Sequence, residues 1–467
     1  MNREEISNSS DSKLMMRVRV AITASAVAFA AGLMMSCAPK GSIGQAKAPG
    51  AYDHLDADEK LAMSDVLADE AEEKLGFATL NEAWGGFNES LQLNPNNVRS
   101  QFWRVALKPV LDTRGIIARV RPLYMKQDHG VERYSKLRKG IDQSANAGYR
   151  SFYTEGAQDI DTDEKLREWM DIQISSLESL RNFLKANKDQ TFTMRAPIEF
   201  VAGLWTNGRA DKCSALKSIN PKFSGCPETG MMKFKMNRAD LEAFQYVVAT
   251  YTVQLSLMSA YNLNPVVMFD DTQHSLKPKT RIENMLKNYD GGILQKNRLA
   301  LALSVVPDAV ISVRYFVNNQ EELCRKDRYE NRANRPGYLL AWTACMFDRG
   351  EAEGTKLLET LESLLNGQPV KIDLGGLNKE VSVYPLKFLK SPPANITAFA
   401  PTKFDADGEY EAFNESTYSP YFANGTINDV IGAQREENER NRIWYQRYME
   451  SQNQAPVAAP VTKEEKK

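Results

Sequence analysis

Histidine is nearly absent: His54, His129 and His274 are the only three in 467 residues. Imidazole is the commonest metal ligand and the commonest general base near neutral pH. Sites of that kind therefore have little to be built from. Cysteine is scarce as well, at five residues, and none stand at the two-to-four-residue spacing of zinc ligands. No metal and no cofactor are expected. Gly-x-Ser-x-Gly, the phosphate-binding loop, His-Glu-x-x-His and the dinucleotide fingerprint are all missing. Net charge is lacking too. Lys and Arg total 59 against 60 for Asp and Glu, with no basic stripe interleaved with aromatics. That leaves no field to gather nucleic acid. Asp270, Asp271 and His274 form the only tight group of potential ligands, and they read as a solvated loop before Pro278. The chain is not expected to be an enzyme.

The chain's front end is informative. Arg17 and Arg19 precede an uncharged run from Val20 to Met35. At about fifteen residues the run is short of the roughly twenty that a spanning helix needs. A basic start, a short apolar core and small residues make a secretory signal. The stretch Leu33-Met34-Met35-Ser36-Cys37 resembles a bacterial lipobox, with Met34 and Met35 where Leu and Ala or Ser are commoner. The resemblance implies that residues 1–36 are removed and that Cys37 carries a diacylglyceryl thioether and an acylated amine. Each buried acyl methylene contributes about 0.8 kcal/mol, so several chains make a lasting anchor. Ala38, where such lipoproteins often carry Asp for inner-membrane retention, implies the outer membrane. Residues 1–14 are acidic and polar, unlike a signal start, so translation is expected to begin at Met15 or Met16.

The other four cysteines, Cys213, Cys226, Cys324 and Cys345, form two close pairs. Four cysteines allow three connectivities. The local one, Cys213–Cys226 and Cys324–Cys345, is expected in an oxidising envelope, each short loop contributing on the order of 3 kcal/mol.

Residues 37–55, rich in Gly, Ala and Pro, read as a flexible tether. From 56 to 366 the pattern is mainly α. Leu61, Val66, Leu67, Ala71 and Leu75 predict a first amphipathic helix; Leu80, Ala83, Trp84, Phe87 and Leu91 predict a second. Ala83, Phe87, Ser90 and Pro95 match, by offset, the second half of a tetratricopeptide repeat, and the segment is similar to that family over some 40 residues. The resemblance implies a helical hairpin: small residues let two helices approach, the aromatic fills the groove and Pro95 starts the next helix. Further helices are expected over 98–111, 116–125 and 131–147. Asp161 and Glu164 suggest a capping box before a strong face running from Leu166 to Leu184.

Thr191–Met194 and Lys233–Met236 alternate as short strands. Asn237, with Asp240 three residues on, predicts the start of a helix over Leu241–Tyr261 that is apolar on most sides, hence a central core helix. More helices are expected over 281–288, 294–305, 307–318, with Pro307 in a first turn, and 352–365. In residues 367–430, Val370–Leu374 and Val381–Tyr384 predict a β-hairpin. An extended arm follows, laid across the helices by Phe388, Phe399, Phe404, Tyr418, Tyr421 and Phe422. Residues 431–451 predict a charged, exposed helix and 452–467 a disordered tail.

The expectation is a lipid-anchored envelope protein with a mainly α, repeat-like body, attached to the membrane through its N-terminal lipid. It would bind another protein or support envelope assembly. Two alternatives stand beside it: a glycan- or ligand-capturing surface lipoprotein, and an envelope hydrolase using two facing carboxylates.

Overall fold

The computed structural model describes residues 52–126, 130–144, 146–201, 230–262, 277–286, 292, 295–319, 351–374, 380–406 and 408–453. The fold is mainly α with small antiparallel sheets. Six helices open it: α1 (Ala57–Glu73), α2 (Leu80–Leu93), α3 (Val98–Leu111), α4 (Ile116–Met125), α5 (Gly130–Asp142) and α6 (Ala147–Thr154). Asp56 and Glu59 close a capping box on α1, which satisfies two otherwise orphan amides. Asn97 caps α3 through the amide of Ser100.

The helix expected over 131–147 ends at Asp142, and a second helix begins only at Ala147. The Ser144 hydroxyl accepts from Asn146 N–H at 3.2 Å, and Asn146 Oδ1 accepts from Tyr149 N–H at 2.9 Å. Such local bonds compete with helix continuation. The break turns Tyr149, Phe152 and Tyr153 into the core, where they ring Phe77 together with Phe200.

Three long helices follow: α7 (Asp163–Ala186), α8 (Arg238–Ala260) and α10 (Lys296–Asn318), with the short α9 (Pro278–Leu286) before the last. The cap of α7 is Thr162, whose hydroxyl accepts from Lys165 N–H, and not Asp161. Asp161 pairs instead with the Lys165 ammonium at 2.7 Å. The Asn237/Asp240 box on α8 is present. That helix is the central one: it packs against α7 and α10, and Leu241, Ala249, Tyr251 and Leu255 are all buried. It runs antiparallel to both, tied at its ends by Arg238–Asp189 and Arg167–Asn262 on one side. On the other, Ser312 donates to Glu242 at 2.8 Å and Gln295 N–H to the Ala260 carbonyl at 2.9 Å.

The two helices expected over 294–305 and 307–318 are one, with Pro307 inside α10. A proline there removes one ladder donor. The adjacent Ser304 carbonyl takes a donor from outside, Arg181 Nη2 at 3.1 Å, while Arg181 and Lys185 both pair with the buried Asp308. Among the described residues, α10 alone is long and apolar enough to cross a membrane by length and composition.

Strands β1 (Phe192–Pro197) and β2 (Met231–Met236) pair antiparallel, Met194 opposite Phe234. After α11 (Glu351–Leu365), β3 (Val370–Asp373) and β4 (Glu380–Val383) form the expected hairpin. The arm beyond it is less extended than its sequence implies. It folds into α12 (Lys387–Lys390), β5 (Lys403–Phe404), β6 (Tyr410–Ala412), α13 (Glu415–Tyr418) and β7 (Phe422–Asn424). Strand β7 adds to β4. The aromatics pack mainly on each other, as a ladder running Phe388–Phe399–Tyr418–Phe413–Tyr410–Phe404 with centroids 4.9–6.1 Å apart. Leu386 and Leu389 fasten the arm to Tyr261, Leu299 and Ala302. Last comes α14 (Ile427–Asn453). Ala433 is buried, and every side chain from Gln434 to Arg447 is exposed.

Candidate functional site

Cys37, Cys213, Cys226, Cys324 and Cys345 lie outside the described residues, as do Asp270, Asp271 and His274. Of the repeat-like set, Ala83, Phe87 and Ser90 are fully buried in the α1–α2 contact, and Pro95 is exposed. Pro95 does not begin α3: the cap is Asn97. The two helices approach closely where Gly86 meets Ala71. A Cβ on Gly86 would lie 2.9 Å from that of Ala71.

The expected apolar face of α1 holds at Ala71 and Leu75, which are buried, and fails at its N-terminal end. Leu61 and Val66 are about half exposed, while Ser64, Ala68, Ala71 and Glu72 face inward. The small residues admit α2 closely, and polar bonding fills what bulk would have filled. Ser64, Ser90 and Ser100 link hydroxyl to hydroxyl at 2.9 and 2.8 Å, and Asn97 Nδ2 donates to Ser64 at 3.1 Å.

Glu72 is the most unusual member of this face, with no exposed surface. Its carboxylate accepts from Trp103 Nε1 at 3.1 Å, from Arg99 Nη1 at 3.3 Å and from Arg195 Nε at 3.4 Å. The same two arginines hold Asp69 at 2.6 and 2.9 Å. The cluster ties α1, α3 and β1 together. Burial raises the Glu72 pKa above its usual value; Arg99 is the main opposing influence, ahead of bonds from Arg195 and Trp103. Desolvation therefore outweighs the ion pairs. A carboxylate without solvent access cannot meet a substrate, so this group is structural. Sequence reasoning missed it; the available signal was its place beside Ala68 and Ala71 on the small-residue face.

A raised folded pKa means that the native state holds its proton longer than the unfolded chain. Stability is then highest below the unfolded value of about 4.5 and falls as pH climbs through the folded value. Urea melts over that window are expected to show this decline for the native chain and a shallower one for Glu72→Gln. Equal slopes would mean that Glu72 ionises in the fold as it does in water.

A shallow cleft of about 210 Å³ lies between the end of α11 and α12, lined by Gly367, Gln368, Tyr384, Lys387 and Lys390 among others. Gly367, at φ +68°, closes α11 in a Schellman turn, with Gln368 N–H donating to the Ser363 carbonyl at 2.8 Å. Lys387 Nζ stands 5.3 Å over the Tyr384 ring. Two ammonium groups favour an anion, but a helix C-terminus forms one wall and repels one. The cleft defines no ligand class. Among the described residues, no three His, Cys, Asp or Glu side chains are placed to hold a metal ion.

What remains is surface. On the outer side of α1, Met63 and Val66 stand one turn apart, 37% and 49% exposed, with Ala62 beside them. Glu59, Glu70 and Glu73 share that side by helical spacing, and all three are exposed. The arrangement is an apolar strip within an acidic frame. No family model, no curated protein and no solved structure matches the chain.

Proposed function

We propose that this chain is a lipid-anchored bacterial envelope protein whose helical body serves as a scaffold for another protein. The signal-like front end ending at Cys37 supports the location. The observation that carries the binding role is the outer face of α1. Apolar side chains on the solvent side of a well-packed hairpin contribute nothing to its core, and a carboxylate-rimmed apolar strip suits a partner with an apolar centre and basic edges.

The test is a crosslinked pull-down from intact envelopes, comparing the native chain with Met63→Asp/Val66→Asp. One stoichiometric protein is expected with the native chain, and its recovery is expected to fall roughly tenfold or more with the double variant, since central apolar contacts dominate such interfaces. Both positions are exposed, so circular dichroism should be unchanged. Recovery of oligosaccharide alone, or of the same partner by both chains, defeats the proposal.

A further inference from the structure

We propose that Asn424 is a site of spontaneous deamidation, its side-chain amide being displaced by the backbone nitrogen of Gly425. Two Asn-Gly pairs fall among the described residues, Asn366-Gly367 and Asn424-Gly425. They are closely matched. Both asparagines are exposed, and both glycines take positive φ, +68° and +77°. A single bond separates them. Gly367 N–H donates to the Leu364 carbonyl at 3.1 Å, within the turn that closes α11. Gly425 lies just past the end of β7, and among the described residues its N–H finds no acceptor.

The chemistry needs that nitrogen. Once it loses its proton it attacks Asn424 Cγ. The N–Cγ bond forms, the Cγ–Nδ2 bond breaks, and ammonia leaves carrying the proton. Water then opens the cyclic imide at either carbonyl, leaving an aspartate or an isoaspartate at position 424. Each adds one negative charge. An N–H already bonded must first give up that bond before it can swing to Cγ. Glycine is the residue that shields the nitrogen least.

The fold holds this glycine in place. A Cβ on Gly425 would stand 2.5 Å from Cγ1 of the buried Val381, and the positive φ favours glycine as well. On one side β7 pairs with β4; on the other Thr426 N–H donates to Asp429 at 2.9 Å, at the start of α14. Isoaspartate inserts one extra main-chain carbon between those two anchor points. Gly425 then leaves its seat on Val381, or β7 slips from β4.

The test follows both sites in one chain. The full chain is aged at neutral pH, folded in buffer or unfolded in guanidinium chloride, then digested and mapped by mass. Isoaspartate is marked with an isoaspartyl methyltransferase. Each site's folded rate is divided by its own unfolded rate, which cancels the influence of neighbouring sequence. That ratio is expected to be roughly tenfold smaller at Asn366 than at Asn424, the factor that one retained hydrogen bond supplies. Amide hydrogen exchange in β4 should quicken in the aged folded chain and stay unchanged in aged Asn424→Gln. Equal ratios at the two sites, an intact amide at 424 in the folded chain after the unfolded chain has converted, or unaltered β4 exchange after conversion overturns the proposal. It needs neither the lipid at Cys37 nor a partner on α1, so its failure and theirs are separate.

Discussion

Phe102→Ala is expected to remove about 3–5 kcal/mol of stability, the usual range for emptying a buried aromatic site. Domains of ordinary stability hold only about 5–15 kcal/mol in all, so the variant should be mostly unfolded in mild urea. The reason is position. Phe102 is 1% exposed and lies within 5.5–5.9 Å, ring centroid to centroid, of Trp103, Phe183, Phe192 and Phe244. Those rings belong to α3, α7, β1 and α8, so one side chain is shared by both halves of the helical body. Its removal leaves a void bounded by four elements that are held elsewhere and cannot all collapse into it. Phe102→Leu should cost much less, because most of the volume stays. Urea midpoints measure both variants. A loss under about 1 kcal/mol for the alanine variant would show that the two halves are joined by other contacts.

Cys37→Ala is expected to abolish acyl anchoring altogether. Without the thiol there is no thioether, and the acylated amine that depends on it is not formed. The chain should gain no diacylglyceryl mass and should leave the detergent-extractable membrane fraction after signal cleavage, or persist as an uncleaved precursor. Several acyl chains hold a protein for long periods, whereas one supports only marginal attachment, so the change is close to all or none. Mass spectrometry of the mature N-terminal peptide decides it. An unmodified sulfur in the native chain would end the lipoprotein reading. A variant that stayed membrane-bound after cleavage would move the anchor elsewhere.

The two features differ in how they could be known. The lipobox resemblance is a matter of residue order in an unfolded chain, because a processing signal is read locally. The same holds for the capping boxes: Asp56 with Glu59, and Asn237 with Asp240, bond within one turn. Helices α3 and α4 begin and end where their periodicity places them, and the β3–β4 hairpin pairs as its alternation implies. Each of these is decided by neighbours within a few residues.

Local pattern and tertiary structure part where distant elements compete. Pro307 suits a helix start, yet α10 runs through it, packed along its length against α8. Of the α1 stripe, Ala71 and Leu75 face the core as expected, whereas Leu61 and Val66 stay outside, because small residues such as Ala68 and Ala71 let α2 come closer than large side chains allow. The arm's aromatics looked like separate anchors and instead stack on one another, because half-buried rings gain more from a shared edge than from separate exposed seats.

Order along the chain determined the helical class and many element boundaries, since those rest on spacing and on bonds within a turn. Tertiary structure alone decided which side of α1 is buried and that Glu72 is enclosed by two arginines. Burial depends on what arrives from elsewhere in the chain, and no local pattern specifies what will arrive.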